Sequence, residues 1–137
     1  MLLCVDVNGI KGYSHFEHFY NRKKDALKEA GVDEVIVWCV NDGAVMSAWA
    51  DDQGVRGSMI KFMGDPSGSL TKALDIEMTD DGPKSVGIIG RCKRHAIYVV
   101  DGEVKAFALS EADGDPAGDD DPSKTMPEAM LAAIKEA

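Results

Sequence analysis

The chain has 137 residues, 45% of them hydrophobic and 28% charged, with a formal net charge of −9. That length supports one domain with its own core, and the acidic balance argues against a general nucleic-acid or anionic-membrane binder. Three cysteines with no CxxC or Cys/His ligand spacing indicate neither a disulfide framework nor a zinc site. A cytoplasmic or other reducing compartment is the expected home, and neither a metal nor an organic cofactor is expected.

Helical and strand signals alternate from the start. Met1 to Val5 is apolar but is followed by Asp6. It lacks the basic flank, long apolar stretch and cleavage site of a signal peptide, and no segment reaches the roughly 18 apolar residues of a membrane span. Leu2 to Val7 therefore reads as a first strand, ending at the turn pair Asn8-Gly9. A chain that begins almost inside its fold raises the expectation of a truncated or divergent start over residues 1–15.

Phe16, Phe19, Tyr20, Ala26, Leu27 and Ala30 share one helical face, and Gly31 stands where a helix stops. Val35 to Val40 is a continuous run of β-formers, the pattern of a central parallel strand covered on both faces. Asn41 and Asp42 can cap a helix that carries Val45, Met46 and Trp49 inward.

Met59 to Met63 reads as the next strand, and Asp65-Pro66-Ser67-Gly68 turns the chain into a short helix over Leu70 to Leu74. Asp80-Asp81-Gly82-Pro83 reads as a break. Val86 to Ile89, His95 to Val100 and Val104 to Leu109 read as strands, the last two joined by Asp101-Gly102, a two-residue hairpin turn. Residues 111–124 look like a solvated acidic loop. Its aspartates invite a calcium reading, but the EF-hand spacing is incomplete and no glutamate stands at the twelfth position. Met126 to Ala137 closes the chain as an amphipathic helix with Ser123 or Thr125 as its cap. The order gives an α/β fold over residues 1–137: a thioredoxin-like mixed sheet with a parallel βαβ half, a C-terminal β-hairpin and helices on both faces.

The segment Arg91-Cys92-Lys93-Arg94-His95 sets a thiol among three fixed cations. Cations favour the thiolate, the nucleophilic form, and an arginine beside a reactive sulfur can hold an anionic or peroxidic substrate by fork-like hydrogen bonds. The alternative is a basic surface turn with Cys92 half-buried and inert. His18 and His95 stand without a ligand partner and read as structural.

Several patterns resemble one family. Gly31-Val32-Asp33-Glu34-Val35, then Val40-Asn41-Asp42, Val45-Met46 and Ala48-Trp49, are similar to the GVDE…SVNDxFVMxAW stretch of the type II, or Prx5-like, peroxiredoxins. Asp65-Pro66-Ser67-Gly68 with Thr71-Lys72-Ala73-Leu74 looks like that family's loop and helix. Arg91-Cys92-Lys93-Arg94 and Tyr98 to Lys105 look like its RSxR segment and hairpin, and Asp121-Pro122 with Pro127 to Leu131 fits its ending. The resemblance covers roughly residues 30–137.

It implies a thioredoxin-fold thiol peroxidase. A peroxidatic thiolate attacks hydrogen peroxide or an alkyl hydroperoxide, becomes a sulfenic acid, and is restored by a second thiol. The partners implied are a peroxide and a thiol reductant such as thioredoxin, glutaredoxin or glutathione, with a second copy of the chain as a candidate partner. Arg91 matches the family's active-site arginine, and Arg94 its second, more structural, basic position.

One departure stands out. The family's PxxxTxxC motif belongs between the first strand and the long helix, where this chain reads Val7 to Phe16 with no proline, threonine or cysteine. Neither Ser14 nor His15 can form a sulfenic acid. Cys92 is then a candidate thiol, with Arg91 as its peroxide-facing partner. Cys4 reads as a buried strand residue. Cys39 lies two residues beyond Val37, where plant-type members carry a resolving cysteine, and reads as a core thiol or a resolving one. Three outcomes remain open: a peroxidase with a relocated nucleophile, a non-catalytic binding or dimerisation module, or a native start different from residues 1–15.

Overall fold

A computed structural model describes the backbone of residues 2–5 and all of residues 20–137. The expectations placed on Asn8-Gly9, Ser14, His15, Phe16 and His18 lie outside the described residues, as does the Cys4 side chain.

Five strands form one sheet: β1 (Leu2–Val5), β2 (Glu34–Cys39), β3 (Ile60–Gly64), β4 (His95–Val100) and β5 (Glu103–Leu109), in the order β3-β2-β1-β4-β5. β1, β2 and β3 run parallel, whereas β4 is antiparallel to both β1 and β5. The helices are α1 (Lys24–Glu29), α2 (Gly43–Asp52), α3 (Ser69–Ala73), α4 (Asp81–Ser85) and α5 (Pro127–Glu136), with a 3₁₀ turn at Ser123–Thr125. This is the mixed thioredoxin-type arrangement expected from the order of elements.

Side-chain alternation along β2 and β4 splits the interior in two. On one face Val35, Val37, Ile60, Ala96 and Tyr98 pack under Leu27 of α1 and Met130 and Ile134 of α5, with Trp49 of α2 against Phe62. On the other, Trp38 and Ile97 pack with Ile76 and Cys92, beside Leu74 at the end of α3. Among the described residues this second layer is a short helix and the segment after it.

The local chemistry explains most boundaries. Gly31 adopts φ 84°, and the amides of Gly31 and Val32 return to the carbonyls of Lys28 and Leu27, closing α1 with a left-handed cap. Asp42 caps α2, its carboxylate accepting from the amides of Ala44 and Val45 at 2.9 Å. Asp101 and Gly102 have φ 50° and 82°, as a type I′ hairpin turn requires.

Four expectations are corrected. Val86 to Ile89 is not a strand: Asp80-Asp81-Gly82-Pro83 opens α4 rather than breaking the chain, and the amides of Val86 and Ile88 fold back onto the Pro83 carbonyl. Left-handed Gly87 and Gly90 interrupt the run, leaving Val86 and Ile89 73% and 78% exposed. Val45 does not point inward but is 47% exposed, Met46 being the buried residue of α2.

Neither Ser123 nor Thr125 caps α5. Met126 holds the N-cap position without a side-chain bond, and Pro127 starts the helix. Thr125 is instead buried, its hydroxyl donating to the Pro122 carbonyl and its own carbonyl accepting the Tyr20 hydroxyl at 2.8 Å. The acidic loop is exposed over much of its length, as expected, and is also held by internal bonds: Asp115 accepts from the amides of Gly118 and Asp120, and Asp121 from that of Ser123.

Candidate functional site

The segment from Arg91 to His95 joins an isolated bridge to β4. Cys92 pairs with Glu77, the Met78 amide donates to the Arg91 carbonyl at 2.7 Å, and the Lys93 amide donates to the Ile76 carbonyl at 2.8 Å. Extended backbone at residue 92 turns the thiol away from solvent. Cys92 is 0% exposed and packs with Trp38, Ile76 and Ile97.

The three cations of the segment have separate fates. Lys93 pairs with Glu111. Arg94 is fully buried, its Nε donating to the Gly118 carbonyl at 2.9 Å and its Nη2 to Asp119 at 2.7 Å. Two of the charges that surround Cys92 in sequence are therefore neutralised by the acidic loop. Arg91 is half-buried, and its side chain makes no hydrogen bond or ion pair among the described residues. It remains the cation available to a ligand at this end of β4.

His95 is also fully buried, with Nδ1 2.7 Å from the Lys93 carbonyl. Burial pushes its pKa down to about 4, against a smaller upward pull from that hydrogen bond, so the ring is neutral at physiological pH.

Cys39 ends β2 beside the α2 cap. Its Sγ donates to the Met46 thioether at 3.3 Å and accepts from the Asn41 amide at 3.2 Å. Asn41, expected to share the capping role, thus serves Cys39 and leaves the cap to Asp42. Both described cysteines are buried and free of disulfides. The β-strand alternation places Cys39 on the Val37 face and Cys92 in the opposite layer, so the fold does not bring them together. Arg91 and Cys92 are neighbours in the chain, but the guanidinium-bearing residue reaches solvent and the thiol does not.

Sequence reasoning missed the burial of Arg94. The only signal for it was the aspartate-rich loop some 25 positions onward, to which its charge is matched. The redoxin family matches residues 13–122, well over half of the chain. The chain belongs to the redoxin family.

Its relatives are peroxiredoxins of the type II, Prx5-like kind. The chain is 37% identical over 97 residues to mitochondrial peroxiredoxin-2F of Oryza sativa subsp. japonica, covering 70% of this chain and 46% of that protein. It is 33% identical over 98 residues to the hybrid peroxiredoxin hyPrx5 of Haemophilus influenzae, covering 71% and 39%. Among solved structures, reduced Prx3 from Vibrio vulnificus in complex with hydrogen peroxide superposes with a TM-score of 0.78 at 29% identity, covering 98% of this chain and 77% of that one. The chain spans about half the length of the curated relatives it matches. No helix among the described residues is long and apolar enough to cross a membrane.

Proposed function

We propose that this redoxin chain is a thiol-dependent peroxidase of the peroxiredoxin class, reducing hydrogen peroxide or an alkyl hydroperoxide through a cysteine sulfenic acid. The observation that carries the proposal is Arg91: the residue matching the family's active-site arginine is the cation of its segment that has no side-chain partner among the described residues. Its guanidinium donates to the peroxide oxygens and stabilises the leaving hydroxide or alkoxide.

The thiolate sulfur forms an S–O bond as the O–O bond breaks, and the leaving oxygen takes a proton to depart as water or alcohol. A thiol of thioredoxin, glutaredoxin or glutathione then condenses with the sulfenic acid, releasing water. A second thiol cleaves the resulting disulfide.

Cys92 is the nucleophile in this proposal. Because it is buried, attack requires the segment to swing out, breaking the Lys93–Glu111 pair and the bonds to Ile76 and Met78. In this proposal residues 1–137 belong to a single redoxin domain with a truncated or divergent stretch over residues 1–15, acting alone or as a homodimer, in a reducing compartment of the cytoplasm or of an organelle such as those in the names of its plant relatives.

The burial of both described cysteines favours a second reading, a peroxiredoxin-fold module that binds or dimerises without turnover. Peroxide consumption with a thiol reductant, combined with dimedone trapping and mass spectrometry, separates the two. The peroxidase predicts an adduct on Cys92 and loss of turnover in Arg91→Ala and Cys92→Ser. Equal rates for wild type and a cysteine-free variant exclude catalysis.

A further inference from the structure

Two buried ring nitrogens of opposite character lie in the same layer. Trp38 stands on β2 and His95 at the start of β4, the strands that flank β1 on either side. Their backbones are thus two strand spacings apart, about 9–10 Å. Both side chains nevertheless rise from one face, and their rings meet edge to face with centroids 4.5 Å apart. Phe107 stacks over the imidazole at 6.4 Å.

The proton positions follow from the partners. A carbonyl only accepts, so the contact between His95 Nδ1 and the Lys93 oxygen puts the proton of the neutral ring on Nδ1. His95 Nε2 is then a bare lone pair, an acceptor. Trp38 Nε1 carries a hydrogen and only donates. Both atoms are buried, and neither has a hydrogen-bond partner among the described residues.

Leaving a buried polar group without a partner is costly, and the great majority of such groups are satisfied by protein or ordered water. Of the surrounding layer, Ile76 and Ile97 carry no polar group, and the Cys92 thiol bonds neither nitrogen. What suits an N–H and a lone pair carried by two rings in edge-to-face contact is a hydroxyl group, accepting from one and donating to the other.

We propose that Trp38 Nε1 and His95 Nε2 form a binding site for one buried water molecule, which bridges β2 to β4 beside the Arg91–Arg94 segment. Through Nδ1 the same imidazole holds the Lys93 carbonyl, so the water, the ring and the segment form one hydrogen-bonded chain. The site owes nothing to peroxidase turnover and stands whether or not the chain is catalytic.

The test is NMR on the ¹⁵N-labelled full chain. The Trp38 indole proton is expected to show a cross-peak to water with NOE and ROE of opposite sign, the mark of a long-lived bound molecule. The half-buried Trp49 indole serves as the internal bulk-water control. The His95 ring nitrogens are expected to report the Nδ1–H tautomer with an Nε2 shift typical of a hydrogen-bonded acceptor. In His95→Phe the Trp38 water cross-peak is expected to weaken or vanish while that of Trp49 is unchanged. A missing cross-peak in the wild-type chain overturns the proposal, as does a scalar coupling directly between Trp38 Nε1 and His95 Nε2, which shows the two rings bonded to each other. Neither of these wild-type measurements depends on a variant that folds.

Discussion

Two glycines near the ends of β2 and β3 should respond to the same substitution with opposite signs. A Cβ built on Gly64 lies 2.4 Å from the Asn41 carbonyl oxygen and 3.1 Å from the Asp42 carbonyl carbon, both backbone atoms. The turn must retreat by roughly an ångström to restore ordinary contact. That turn carries the Asp42 cap of α2, and the Asp65 amide beside it donates to the Cys39 carbonyl at 2.8 Å. Overpacking costs about 1–3 kcal/mol and the weakened backbone bond adds about 1 kcal/mol. Gly64→Ala should therefore destabilise by about 2–4 kcal/mol, a large share of a typical domain's stability.

Gly43 begins α2, and a Cβ there meets nothing within 4 Å. Gly43→Ala should leave stability unchanged or raise it by up to about 1 kcal/mol, by restricting the unfolded chain. Urea titrations followed by circular dichroism measure both, an unchanged slope confirming that stability alone has moved. If Gly64→Ala lies within about 0.5 kcal/mol of wild type, the close approach of the two strand ends does not constrain the fold.

Acid should weaken the protein through His95. Its pKa is lowered from 6.5 to about 4 in the fold, so between those values the unfolded chain binds the extra proton. Stability then falls as pH drops through that window, by about 3 kcal/mol in total, and His95→Phe should flatten this part of the pH–stability curve. Leu27→Ala, which empties a site at the centre of the first core, should cost about 2–5 kcal/mol in urea unfolding. By contrast, Val86→Ser and Ile89→Ser should each stay within about 0.5 kcal/mol, whereas a strand over those residues demands a clear loss. Removing the carboxylate cap in Asp42→Ala should cost about 1 kcal/mol, measured by the same titration.

The elements that sequence made legible are those with a local cause. Val35 to Val40 announces a strand buried on both faces because nothing in it is polar, and Asp101-Gly102 announces a hairpin because its turn needs positive φ. Val86 to Ile89 misled because three apolar residues around a glycine look the same in a strand and in an exposed turn. The return of the Val86 and Ile88 amides to the Pro83 carbonyl distinguishes them, and that carbonyl lies in α4. At the candidate site, the charges around Cys92 were visible but their cancellation was not. Arg94 and Lys93 are neutralised by Asp119 and Glu111, side chains whose proximity is a matter of tertiary folding. The match of Arg91 to the family's arginine came from resemblance, and its lack of a side-chain partner among the described residues is visible only in three dimensions.

The strand order also governs how the protein is made. β1, which precedes the other described strands in the chain, occupies the middle of the sheet, and its two neighbours are far apart in sequence: Leu2 pairs with Glu34 on one side and with Val99 on the other. During elongation β2 and β3 can join it early, but the opposite rim of β1 has no partner until the β4–β5 hairpin leaves the ribosome. Until then the growing polypeptide carries an open strand edge, the feature most prone to pair with other chains. The C-terminal hairpin therefore acts as the closing piece of the sheet. A stop codon before His95 should yield insoluble polypeptide rather than a smaller folded domain.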